Sequence, residues 1–126
     1  MVQAHTTLDP NFLTGKWEGT GSVFVQSSGK TIHFKETSEF KLLKQEPCWL
    51  INYQQFTKNA ENGNPMHAEN GFWKIFKPDG ENIRKIEASF SHPFSINEFE
   101  VGQVGKHAET GHTFITMAAS ETDQSF

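Results

Sequence analysis

The chain has 126 residues, with 11 basic against 15 acidic side chains and a formal charge of −4. Such a length suits one domain, and the charge gives no electropositive footprint for a phosphate backbone, so nucleic acid is not an expected partner. One cysteine, Cys48, excludes an internal disulfide framework and a Cys-based zinc cluster. No stretch approaches the roughly 20 apolar residues of a membrane-spanning helix, and the opening MVQAHTTLDP has neither the basic nor the apolar region of a signal peptide. The expected compartment is therefore the cytoplasm or the nucleus, with no membrane partner. Only 35% of the residues are hydrophobic, but 12 Phe, 3 Trp and 1 Tyr concentrate apolar area in large rings, enough for a small core.

In chain order, Asp9-Pro10-Asn11 predicts a cap for one helical turn over 8–13, with Pro at the first helical position. A strand follows over 16–25, its odd positions Trp17, Gly19, Gly21, Val23 and Val25 sharing one face, closed by the turn Ser27-Ser28-Gly29. Ile32, Phe34, Glu36, Ser38, Phe40 and Leu42 repeat with the same period of two. The next run sets Trp49, Ile51 and Tyr53 against Cys48, Leu50, Asn52, Gln54 and Phe56, before a polar loop over 59–65. A fourth run over 66–76 ends at the turn signal Pro78-Asp79-Gly80. Shorter runs at 83–90, 96–104 and 112–117 complete seven strand candidates, and a polar segment over 121–126 reads as frayed.

Short strands with turns between them and no room for crossover helices imply an antiparallel meander that closes into a barrel or folds as a sandwich. Alternation puts polar groups on inward faces too, Asn52 and Gln54 beside Leu50 and Phe56, and either His67, Glu69 and Trp73 or Met66, Asn70 and Phe72. An interior that mixes rings with hydrogen-bonding groups suits a ligand cavity, because a plain core would leave those groups unpaired.

The six histidines, His5, His33, His67, His92, His107 and His112, show no metal-site spacing, so a metal-ion site is not expected and no metal ligand is assigned. No nucleophile elbow or P-loop is present, and Cys48 reads as a small strand residue. No catalytic residue is assigned, which leaves enzymatic activity open. Two runs stand out. In Gly15-Lys16-Trp17-Glu18-Gly19-Thr20-Gly21 the alternating glycines clear one strand face for a ring, a backbone or a flat ligand, or mark a barrel corner that Trp17 plugs as a buried anchor. In Met66-His67-Ala68-Glu69-Asn70-Gly71-Phe72 an imidazole beside a thioether suits a heme environment, though a lone strand histidine is more often a hydrogen-bonded wall residue.

Together these runs resemble the nitrobindin family, the heme-binding β-barrels that include the C-terminal domain of a THAP-domain protein. Gly15-x-Trp17-x-Gly19-x-Gly21 is similar to the family's glycine-tryptophan signature, and Gly63-Asn64-Pro65-Met66-His67-Ala68-Glu69-Asn70-Gly71-Phe72 to its G-x-P-M-H-x-E-x-G-Y. Phe34-Lys35, Glu39-Phe40-Lys41, Pro47, Tyr53-Gln54 and Pro78-Asp79-Gly80 also fall where the family has its second strand, its P-V-x-A-Y-x-Q segment and a turn. The resemblance covers 12–104 of a single domain spanning 1–126, with 105–126 divergent. It implies an all-β, antiparallel up-and-down barrel of the fatty-acid-binding-protein type, ten-stranded in the family and here incomplete or partly open, holding heme b. It also implies nitric oxide binding or isomerisation of peroxynitrite to nitrate, with Met66, His67 and Thr31 matching heme-pocket positions. The family's axial histidine lies on the last strands of its barrel, which no segment here resembles, so the resemblance also implies a shortened chain with an open sheet edge suited to self-association. His107 and His112 are the histidines beyond the matching region. The alternative function is a non-heme carrier of a small apolar ligand, or a shortened, non-catalytic form.

Overall fold

A computed structural model describes residues 8–78, 83–93, 96–107 and 109–119. His5, the 121–126 tail and Asp79-Gly80 of the expected turn lie outside the described residues. Seven strands form one sheet: β1 Gly15–Val25, β2 Lys30–Lys44, β3 Trp49–Asn59, β4 Pro65–Ile75, β5 Ile83–His92, β6 Ile96–Lys106 and β7 Thr113–Ala119. Each pairs antiparallel with the next, in the spatial order β1 to β7. Among the described residues β7 does not return to β1, so the sheet is an open half-barrel whose edges are β1 and β7.

Directly paired residues of an antiparallel ladder share a face, so the register sorts the side chains into two sets. Trp49, Ile75 and Ile86 pair in one row, and Ile51, Trp73 and Ala88 in the next. Ile51, Ile75, Ile86 and Val104 are wholly buried, and Tyr53 and Phe90 extend this interior face. Leu8, Phe12 and Leu13 cover its lower end, with the Phe12 and Trp49 ring centroids 6.5 Å apart. Gly71 sits where β4 meets β5, and a Cβ there would strike the Ser89 carbonyl and the backbone of Phe90.

Three expectations are corrected. Residues 8–13 form turns rather than a helical turn: the Phe12 amide donates to the Asp9 carbonyl at 2.9 Å and the Asn11 amide to Asp9 Oδ1 at 2.8 Å. The Asp9 side chain thus bonds backbone two residues on, the local alternative that competes with a helix. Leu50, Asn52, Gln54 and Phe56 do not face inward; Trp49, Ile51 and Tyr53 do, because that set buries a continuous apolar surface and the other would bury two amides. Trp17 lies on the interior face but is half exposed, its indole N–H donating to the Leu13 carbonyl at 2.8 Å. It stands on an edge strand, and among the described residues no strand lies beyond it to cover the ring.

Candidate functional site

The hairpin after β1, the loop between β3 and β4, and the link between β5 and β6 all lie at one end of the half-barrel, the mouth. A row of directly paired residues, Gly19, Glu36, Thr57 and His67, crosses the interior face there, and Trp17, Ser38, Gln55 and Glu69 form the row beneath it. A Cβ at Gly19 would meet nothing within 4 Å, so this part of the face is open, whereas at Gly21 the Phe34 ring already occupies the cleared space.

Beside the open stretch, imidazoles and carboxylates converge. His67 Nε2 lies 3.2 Å from Glu69 Oε2 and 3.1 Å from His92 Nδ1, and His92 Nδ1 lies 3.3 Å from Glu69 Oε2. On its other nitrogen, His92 Nε2 is 3.0 Å from Glu98 Oε1. The Tyr53 hydroxyl donates to Glu69 Oε1 at 2.9 Å, and burial followed by this bond to a carboxylate raises the phenol well above its usual range. Glu98 and Glu100 share a hydrogen bond that lowers Glu98 and, with burial and the neighbouring charge, lifts Glu100 to about 7. Of the pair, Glu100 is the one that takes up a proton below about pH 7, and Glu98 is the one that faces His92. Deeper in the face, Trp73 Nε1 is buried and has no hydrogen-bond partner among the described residues.

The cluster is a product of register. His67 and Glu69 share a face as i and i+2 on β4, and His92 joins them because Asn70 pairs with Ser91, which brings the next interior positions of β4 and β5 together. The sequence signal was His-x-Glu on one strand and a histidine one hairpin later; spacing rules written for loops and helices do not see it. Of the residues singled out from the sequence, His67 lies at the mouth with its side chain 44% exposed. Met66 is the extra residue of a bulge, since Thr57 pairs with His67 and Lys58 with Pro65. Thr31 pairs with Phe24 beside the first hairpin, exposed, and shares with Lys35 and Thr37 the face opposite His67. The structure therefore gathers these three at one end without bringing them into one pocket wall. His107 and His112 flank the β6–β7 turn, where the His107 amide donates to the His112 carbonyl at 2.9 Å. That turn is at the far end of β6, about 30 Å from the mouth at the usual rise per strand residue.

A groove of about 860 Å³ is lined mainly by residues of the opposite face, and Trp17, Ser38, Gln55 and Glu69 of the interior row also border it. Its floor is the directly paired row Lys16, Glu39, Gln54, Asn70 and Ser91, flanked by Phe56. Among the described residues no histidine, cysteine or methionine lines it.

Comparison with known proteins gives a consistent picture. The model of the THAP4-like, heme-binding beta-barrel domain family matches residues 7–124, running past the motifs that end near Val104. The chain is 31% identical over 110 residues to proteins named peroxynitrite isomerase 2 of Mycobacterium avium and peroxynitrite isomerase 1 of Mycolicibacterium paratuberculosis, a match that covers 87% of this chain and 60% of each relative. It is 33% identical over 64 residues to the peroxynitrite isomerase of Frankia alni, covering 50% of this chain and 43% of that one. The chain thus spans about 60% of the length of the first relatives it matches. No solved structure matches it. Among the described residues no helix is long and apolar enough to cross a membrane.

Proposed function

Since the chain belongs to the THAP4-like, heme-binding β-barrel family, we propose that it takes heme b at the interior mouth, the porphyrin lying over Gly19, Glu36, Thr57 and His67. The observation that carries this reading is the open space above Gly19 in the same row as a half-exposed imidazole. His67 serves as a wall residue, and Met66 and Thr31 border the mouth. The open space above Gly19 suits a flat ring; the iron is less well served. His67 Nε2 and both nitrogens of His92 are already engaged, and His107 and His112 lie at the far end of the sheet. Heme iron bound here would supply binding of nitric oxide and chemistry on peroxynitrite, the substrate in the relatives' names. With His67 Nε2 and both His92 nitrogens engaged, hemin is retained mainly by burial and propionate contacts, and binding is weak.

The test is a hemin titration followed by the Soret band, for wild type beside Gly19→Val and His67→Ala. Wild type should show weak, saturable binding, His67→Ala a weakened or shifted band, and Gly19→Val at least tenfold weaker binding with an unchanged circular dichroism spectrum. Equal binding by wild type and Gly19→Val would contradict the placement.

The groove favours a second reading, a carrier of a small molecule with an apolar body and polar edges, since its volume falls in the usual range of ligand sites. Binding weakened by Phe56→Ala but not by Gly19→Val would support it. Among the described residues the outer edges of β1 and β7 are unpaired, which suits strand addition by a second copy; light scattering across concentration would reveal it as growth in mass.

A further inference from the structure

We propose that His67, Glu69 and His92 form a binding site for a divalent zinc-type ion, distinct from any heme iron. The donor atoms His67 Nε2, Glu69 Oε2 and His92 Nδ1 stand 3.1, 3.2 and 3.3 Å apart, an almost equilateral triangle. Zinc binds imidazole nitrogen and carboxylate oxygen at about 2.0–2.2 Å in tetrahedral geometry, which separates its ligand atoms by about 3.3 Å, so the triangle has the size of one face of that tetrahedron. Two imidazoles and one carboxylate are a donor set that suits zinc and its transition-metal neighbours and not magnesium or calcium, which take oxygen.

Surrounding groups hold each donor in a state ready for metal. Glu98 Oε1 faces His92 Nε2 at 3.0 Å, on the side of the ring away from the triangle. With the ring proton on Nε2, the lone pair of Nδ1 is turned toward the triangle, the carboxylate–histidine–metal arrangement of established zinc sites. Tyr53 donates to Glu69 Oε1 and leaves Oε2 for the ion. Glu69 and His92 are mostly buried, at 16% and 15% side-chain exposure, and are fixed on adjacent paired strands, while the exposed His67 forms the wall through which an ion enters. Three protein ligands leave the fourth position to water, the pattern of an open zinc site.

The experiment uses the full, tag-free chain stripped with a chelator, titrated calorimetrically with zinc alone and, in parallel, with cobalt(II), whose visible d–d bands report coordination geometry. One ion per chain should bind, cobalt should show the intense bands of four-coordination, and His67→Ala and Glu69→Gln should each weaken binding at least tenfold, with Glu98→Gln weakening it through His92. His67→Ala removes a half-exposed side chain, so near-ultraviolet circular dichroism of the metal-free variant should match wild type. No saturable binding to wild type, binding unchanged in both His67→Ala and Glu69→Gln, six-coordinate cobalt spectra with excess stoichiometry, or binding lost only in a His107→Ala/His112→Ala double variant would each overturn the proposal. Hemin plays no part in the measurement, so its outcome is independent of the heme reading.

Discussion

Trp17 and Ile75 show how far position on the sheet outweighs residue size. The indole at the β1 edge is half exposed and keeps one hydrogen bond to Leu13, whereas Ile75 is wholly buried between the β3 and β5 neighbours Trp49 and Ile86. Removing a half-exposed ring and one hydrogen bond should cost about 1–2 kcal/mol, and emptying a closed core site about 2–5 kcal/mol. Urea unfolding should therefore rank Ile75→Ala below Trp17→Ala in stability; the reverse order would mean that Trp17 is covered. Glu100 gives a second prediction at this scale. Its carboxyl rises from the ordinary 4.5 to about 7, through the hydrogen bond with Glu98, burial, and the charges of Glu98 and Glu69, with His92 opposing. Between those values the folded chain binds more protons than the unfolded one, so this residue's contribution falls as pH rises through 7. Relative to wild type, Glu100→Gln should gain stability from pH 5 to pH 8 in chelator-treated protein, and a difference that stays constant with pH would refute the shared proton.

Elements were legible where local pattern and ladder agree. All seven strands stand where the period-two runs put them, because alternation between an apolar and a polar face is both the sequence signal and the physical requirement of a sheet buried on one side. Several run longer than their apolar cores, as β2 does to Lys44 and β6 to Lys106, since ladder bonds extend through polar residues that carry no hydrophobic signal. The face of β3 was misjudged: Leu50 and Phe56 make either side look apolar, and only the neighbours Trp73 and Ile75 on β4 decide for Trp49, Ile51 and Tyr53. Glycine and tryptophan of the first signature were read correctly as belonging to one face, but openness above Gly19 and the Phe34 ring over Gly21 depend on the β1–β2 register. Half of the site was visible as His67 and its neighbour Glu69. His92 and Glu98 were not, because nothing local marks a histidine 25 residues away as a partner.

At the scale of the molecule, the half-barrel has two usable faces that differ in chemistry. The interior narrows from a packed lower end, where Ile51, Ile75, Ile86 and Val104 exclude water, to a mouth lined by imidazoles and carboxylates. The opposite face supplies most of a groove of amides, charges and the Phe56 ring, which Trp17, Ser38, Gln55 and Glu69 also border. The proposed placement of the porphyrin in the mouth can be tested directly, since paramagnetic hemin broadens nuclear resonances close to the iron. In a hemin titration followed by NMR, the His67 and His92 imidazole signals should broaden first while the Gln54 and Asn70 side-chain amides, which face the groove, stay sharp. Broadening of the Gln54 and Asn70 amides with unchanged His67 and His92 signals would contradict heme binding at the mouth and assign the ligand to the groove.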